Sequence, residues 1–209
     1  MKRIILIPAC FLFFASTILA QEREKSGMIK TTKGILVVWN EPDNYYTIEI
    51  KGKQITPAEQ PLLFQVDGLF FQIQTAEKKA FLQGNVDKKL DDKTILATHR
   101  DWEGDYLSGV LKKKLQIDSE WLKLADGTDA LGWSYDMPRK MVPDGQSAKK
   151  QFYLAVVKRN HVLLLNSALT GDDNDKTIRQ LLLDTINTLR STDKPLPLQK
   201  AAEMIRNSN

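Results

Sequence analysis

Two runs late in the chain, residues 152–157 (FYLAVV) and 162–169 (VLLLNSAL), constrain the fold more than any other feature. Each is apolar at nearly every position. A strand sends alternate side chains to opposite faces, so strands this apolar belong at the centre of a sheet, with helix over at least one face. The polar residues 158–161 (KRNH) make the pair a hairpin. A covering helix follows. It starts in residues 172–175 (DDND), carries Ile178, Leu181, Leu182, Thr185, Ile186 and Leu189 on one face, and is stopped by Pro195 and Pro197.

The earlier chain predicts further antiparallel pairs. Residues 35–39 (ILVVW) read as a first strand and residues 40–44 (NEPDN) as a turn. Over residues 45–50, Tyr46, Ile48 and Ile50 alternate with Tyr45, Thr47 and Glu49, the pattern of a half-buried strand. Leu62, Phe64 and Val66 alternate before Asp67-Gly68, and Leu69, Phe71 and Ile73 alternate after it. Both turn residues of such a hairpin must tolerate positive φ, which Asp-Gly does. A helix capped by Asp91 or Asp92 comes next, with Ile95, His99, Trp102, Tyr106 and Val110 on one stripe. Gly104 and Gly109 weaken it, and Gly109 lies where it could admit a neighbouring backbone. Residues 121–124 and 131–135 flank a Gly-containing loop as one more hairpin, residues 138–148 read as a long connection, and residues 199–206 as a short terminal helix. There is no internal repeat and no linker that would divide the domain.

The N-terminus speaks to compartment. Lys2 and Arg3 precede an apolar run from Ile4 to Leu19, and Ala20 offers a small residue before the polar QEREK. This is the pattern of a cleavable signal peptide over residues 1–20, although Ile18 is large for its place before the cut. A retained transmembrane anchor is the main alternative, and the run is short for a span of about 20 residues. Lipidation at Cys10 is set aside because cleavage there would leave a very hydrophobic tail. Without Cys10 the mature chain has no cysteine, so disulfides, thiolate zinc sites and cysteine nucleophiles are excluded from it. The expected organisation is a signal peptide over 1–20, a flexible lead-in over 21–33, one domain over 34–193 and a C-terminal tail over 194–209. The expected location is the periplasm or the outside of the cell, with no stable membrane span after cleavage.

Charge argues against nucleic acid as a partner. Without Lys2 and Arg3, 28 basic residues stand against 26 acidic ones, a balance of +2. Nucleic-acid binders show basic clustering instead. The longest basic run, Lys112-Lys113-Lys114, reads as a solvated helix end, since polybasic lipid sites use about 4–8 positive charges.

Candidates for chemistry are few. His99 and Glu103 stand one helical turn apart and could share a metal or a proton, yet His99 also lies within the apolar stripe, where a packed histidine is the commoner case. His161, the second imidazole, falls in a predicted turn. Residues 172–175 lack the spacing, central glycine and distal glutamate of a calcium loop and read as a helix cap. Residues 126–129 (DGTD) read as a turn. Trp39, Trp102, Trp121 and Trp133 could line a groove, although aromatic residues in such positions are more often core. Zinc-protease, phosphate-loop, nucleophile-elbow and dinucleotide signatures are absent. A dispersed serine triad would have to use His99 or His161.

The order of strand pairs, helix, antiparallel strands and closing helix resembles the Mog1/PsbP-like α/β/α sandwich, a fold that includes small exported bacterial proteins. The resemblance is carried by Trp133 in its strand, the hairpin of residues 152–169, and a last helix ending in residues 188–191 (TLRS). It implies an α+β domain, a mainly antiparallel sheet with at least two helices packed on it. It also implies binding or assembly rather than catalysis, and brings no catalytic residue set and no cofactor to these positions. The expected function is a non-catalytic envelope protein that binds a partner protein or an accessory ligand. The alternatives are a hydrolase or metal-dependent enzyme using His99 and Glu103, and a carrier of small apolar ligands.

Overall fold

The structure is a computed structural model that describes residues 26–42, 44–84, 89–137, 148–170 and 174–207. At its centre, β9 (Ala148–Lys158) and β10 (His161–Thr170) form the long hairpin expected from their apolar runs. On the β10 side, β6 (Leu69–Glu77), β5 (Leu63–Val66) and β4 (Ile55–Pro57) follow in that order. On the β9 side come β8 (Asp129–Asp136) and then β7 (Asp118–Lys123), completing a seven-stranded antiparallel sheet.

Both faces of this sheet are covered, which is what the central strands require. Phe152, Leu154 and Val156 of β9 and Leu163 and Leu165 of β10 point to one side. There they meet Ile178, Leu182 and Ile186 of helix α3 (Asp175–Ile186) and Tyr46, Ile48 and Ile50 of a second sheet. Tyr153, Ala155, Val157, Val162 and Leu164 point to the other side and pack against Ile95 and Leu96 of helix α2 (Asp92–Val110). The second sheet is four-stranded and antiparallel, in the order β1 (Gly27–Lys30), β2 (Gly34–Glu41), β3 (Asn44–Lys51) and β11 (Arg190–Thr192). The protein is therefore an α+β sandwich built mainly of antiparallel strands. Each fully buried Leu, Ile or Phe contributes about 1.5–3 kcal/mol to it.

Local chemistry starts and stops these elements as the residue types dictate. Asp91 caps α2 by accepting from the Thr94 amide at 2.7 Å, and Asn174 caps α3 by accepting from the Thr177 amide at 2.9 Å. Asp67 and Gly68 turn the β5–β6 hairpin with φ of 49° and 93°. Lys112, Lys113 and Lys114 are solvated just past the end of α2.

Several expectations need correction. The lead-in over residues 21–33 is not wholly flexible: residues 27–30 form β1, which satisfies the free edge of β2. Helix α3, expected to end near residues 188–191, ends at Ile186. There the Thr188 hydroxyl oxygen accepts from the Glu49 amide at 2.8 Å, and the chain turns into β11 beside β3. A short helix α1 (Lys78–Phe81) and strand β4 carry too few residues to show a period. The crowded helical glycine is Gly104, where an added Cβ would lie 2.5 Å from Ile117, whereas Gly109 faces open space. Tyr106 points outward, so the buried stripe of α2 runs through Ile95, Leu96, His99 and Gly104. The signal-peptide residues 1–20, most of the loop at 138–148 and the acidic residues Asp172 and Asp173 lie outside the described residues.

The C-terminal tail is docked. Helix α4 (Leu198–Asn207) lays Leu198 against Gly27 of β1 and buries Ala201. The Asn40 side chain clamps the approach: its amide donates to the Leu196 carbonyl at 2.9 Å and its oxygen accepts from the Leu196 amide at 3.0 Å. Asn40→Ala removes both bonds at a nearly buried position. Loss of about 1–2 kcal/mol is expected, together with faster hydrogen exchange and proteolysis confined to residues beyond Asp193. Exchange mapped by mass spectrometry checks this. An unchanged C-terminal segment would show that α4 is held by other means.

Candidate functional site

His99 is packed in the layer between α2 and the large sheet. Its ring meets Phe81 edge-on at 5.0 Å between centroids and lies 5.9 Å from Trp102. It is 1% exposed, and its Nδ1 atom is enclosed without a hydrogen-bond partner. Burial pushes its pKa down to about 4, so the ring is neutral at ordinary pH.

Glu103, one turn on, is half-buried beside two tyrosines of the sheet. Burial pushes its carboxyl up to about 7. Tyr135 and Tyr153 share a hydrogen bond, and both are raised above their ordinary value, by burial first, with the nearby Glu103 charge adding to the effect. Trp133 lies flat on Tyr153 at 3.7 Å between centroids. The sequence pair His99 and Glu103 is thus on one helix face. Burial is the whole cause of each shift, however, and neither charge perturbs the other. What the geometry builds is an aromatic floor with one protonatable carboxyl over it.

Next to that floor the sheet carries buried amides that the sequence reading did not single out. Gln151 donates to Asn166 at 3.2 Å, and Asn166 donates to Gln72 at 3.4 Å and to Gln74 at 3.2 Å. The ladder crosses β9, β10 and β6, with Asn166 in register between Tyr153 and Gln72. Buried amides need partners, and these supply one another. The available signal was Asn166 itself, a polar break in an otherwise apolar strand.

An open cleft lies at the end of the sheet where β6 and β10 meet α1 and the start of α2. Its volume is about 530 Å³. Lys78, Lys79, Lys89, Glu77 and His161 line it, over a floor of Leu82, Leu90 and Ile95. The Lys78 amide donates to the Asn160 carbonyl at 2.9 Å, which seats α1 against the β9–β10 turn. Lys79 is held by Glu77 at 2.5 Å, while Lys78 and Lys89 have no ion pair among the described residues. Burial lowers the Lys78 pKa, partly offset by the charge of Asp92. The turn expected to hold His161 is made by Arg159 and Asn160 instead. His161 is the first residue of β10, paired with Glu77 and Lys158, and its Nδ1 atom is enclosed without a partner. Lys78, Lys89 and His161 come from three separate stretches of chain, so no local pattern could have joined them.

A larger, more open cleft of about 620 Å³ lies where β3 meets the end of α3. Its acids, Glu49 and Asp184, balance its bases, Lys51 and Arg190. The tryptophans do not share a groove. Trp39 stacks with Tyr46 in the small sheet, Trp102 and Trp133 belong to the α2 layer, and Trp121 is 44% exposed on β7 with the Lys93 ammonium 5.5 Å from its ring. Asp126 accepts from the Thr128 amide at 2.9 Å, as a turn residue does. Among the described residues, no three His, Cys, Asp or Glu side chains gather into a metal-binding group, and no helix is long and apolar enough to cross a membrane.

The layers and the cleft define an α+β sandwich with a cationic, apolar-floored recess at one end of its sheet. No protein-family model matches the chain, and no curated protein does. Among solved structures it is similar to the solution structure of cyanobacterial PsbP from Synechocystis sp. PCC 6803. The TM-score is 0.46 and the identity 10%, over 81% of this chain and 94% of that one. The likeness is one of fold.

Proposed function

We propose that this is an exported, non-catalytic binding protein of the cell envelope, periplasmic or secreted, which holds an accessory ligand in the cleft beneath Lys78 and Lys89. The observation that carries the reading is the composition of that cleft. Two cations without ion pairs among the described residues stand over an apolar floor that is continuous with the core through Leu82 and Ile95. A concave apolar surface with a few convergent polar groups is the usual form of a ligand site. Its volume of about 530 Å³ is in the ordinary range for one.

A partner protein is the second reading. It is favoured by Trp121, a large exposed ring on the outermost strand of the sheet, since exposed tryptophans often anchor interfaces. The enzyme reading draws on Glu103, whose carboxyl near 7 is in the range of a general acid.

Native mass spectrometry of the mature protein, purified gently from its own envelope fraction, tests these readings. A retained small molecule that disappears in the Lys78→Gln/Lys89→Gln variant is the expected result. A stoichiometric second protein lost on Trp121→Ala would move the assignment to the interface. A bare, solitary chain whose activity in a hydrolase screen vanishes in both Glu103→Gln and His99→Gln, each shown to be folded, would overturn the binding reading in favour of the enzyme.

A further inference from the structure

Resting on the binding reading above, we propose that the cleft takes a monomeric amphiphile, one anionic head group of the carboxylate or phosphate class on a short unbranched apolar chain. Three features of the recess select this chemistry together. The first is charge: Lys78, Lys79 and Lys89 outnumber the acids that act on them, Glu77, which is already engaged with Lys79, and Asp92, whose charge acts on Lys78 without an ion pair. A head group placed between Lys78 and Lys89 gains charge-assisted hydrogen bonds without having to break that ion pair.

The second feature is a spare polar atom at the same place. His161 Nδ1 is enclosed and has no partner, an arrangement that costs stability unless something supplies a bond. A turn of the half-buried ring that brings Nδ1 to the cleft would let a head-group oxygen accept from it.

The third feature is the floor. Leu90 offers half-exposed apolar surface, with the buried Leu82 and Ile95 at its base and Phe81 and Leu96 packed in the same cluster. A purely hydrophilic anion such as a sugar phosphate would leave this surface without a partner. A neutral lipid would leave the two lysines and the imidazole unused. An amphiphile satisfies both halves.

Titration of the full mature protein with sodium alkanoates of six to twelve carbons tests the proposal, followed by calorimetry. Parallel titrations use the alcohols of equal length, inorganic phosphate, and vesicles of an anionic phospholipid. The affinity for alkanoates is expected to rise about threefold to fourfold per added methylene until the cleft is filled. The alcohols should bind at least tenfold more weakly. The Lys78→Gln/Lys89→Gln variant should lose that preference while retaining binding to the alcohols, and Leu90→Asn should flatten the dependence on chain length. Near-ultraviolet circular dichroism establishes that both variants fold.

Phosphate binding as tightly as dodecanoate would overturn the amphiphile in favour of a simple anion site. Vesicle binding without binding of the monomer would overturn it in favour of a membrane surface. Alkanoate affinity indifferent to both variants would place the ligand elsewhere. If no amphiphile binds, yet protein from its own envelope retains a mass that the double variant loses, the ligand class is wrong and the binding reading stands.

Discussion

Phe71→Ala lowers the stability of the protein by about 3–5 kcal/mol, while Phe70→Ala, one residue earlier on the same strand, changes it by no more than about 0.5 kcal/mol. The difference comes from the two faces of β6. Phe71 is 0% exposed, lies 6.4 Å from the ring of Phe64, and belongs to the core shared by the two sheets and α3. Truncating it removes a buried ring and leaves a cavity between layers that are too rigid to collapse into it. Phe70 faces the other way and is 44% exposed, so little area is lost with it. Urea unfolding followed by tryptophan fluorescence measures both. Equal losses from the two variants would mean that the second sheet does not pack on β6 as described.

Glu103→Gln changes the pH dependence of stability in the neutral range. The Glu103 carboxyl titrates near 7 in the folded protein against an ordinary value of 4.5. The folded state therefore holds this proton more tightly than the unfolded state does. The stabilisation is fully present below 4.5 and is lost as pH rises through 7. The change is about 2–3 kcal/mol, allowing for the solvent that reaches a half-buried group. His99 works in the opposite direction. Its ring titrates near 4 against an ordinary 6.5, so the stability it contributes is present above 6.5 and lost as pH falls through 4. The glutamine variant mimics the protonated acid. It should match the parent at pH 4 and exceed it by about 2–3 kcal/mol at pH 8.5. Parallel stability curves for parent and variant across that range would show that Glu103 is solvated and ordinary.

The same residue shows how much of the site was legible beforehand. Spacing alone placed Glu103 one turn from His99 and suggested a shared proton. The fold puts the imidazole among Phe81 and Trp102 and the carboxyl near the Tyr135–Tyr153 pair, so each is perturbed by its own surroundings. Helical spacing says which residues share a face. It does not say what that face is pressed against, and the neighbouring surface sets the pKa.

Much of the architecture was determined by the sequence. The hairpin of β9 and β10, the Asp67-Gly68 turn, the capped start of α2 and the apolar stripe of α3 rest on short-range chemistry: strand alternation, tolerance of positive φ, and side chains that satisfy free amides at a helix start. Such terms act over a few residues and need no knowledge of the rest of the chain. Only the tertiary structure decided that residues 190–192 become a strand, because they are ordered by the edge of β3, distant in sequence. The same holds for the Asn40 clamp on Leu196 and for the recess that joins Lys78, Lys89 and His161. A strand edge, a side-chain clamp and a cleft exist only when remote segments meet, and a single chain read in order carries no record of which segments those are.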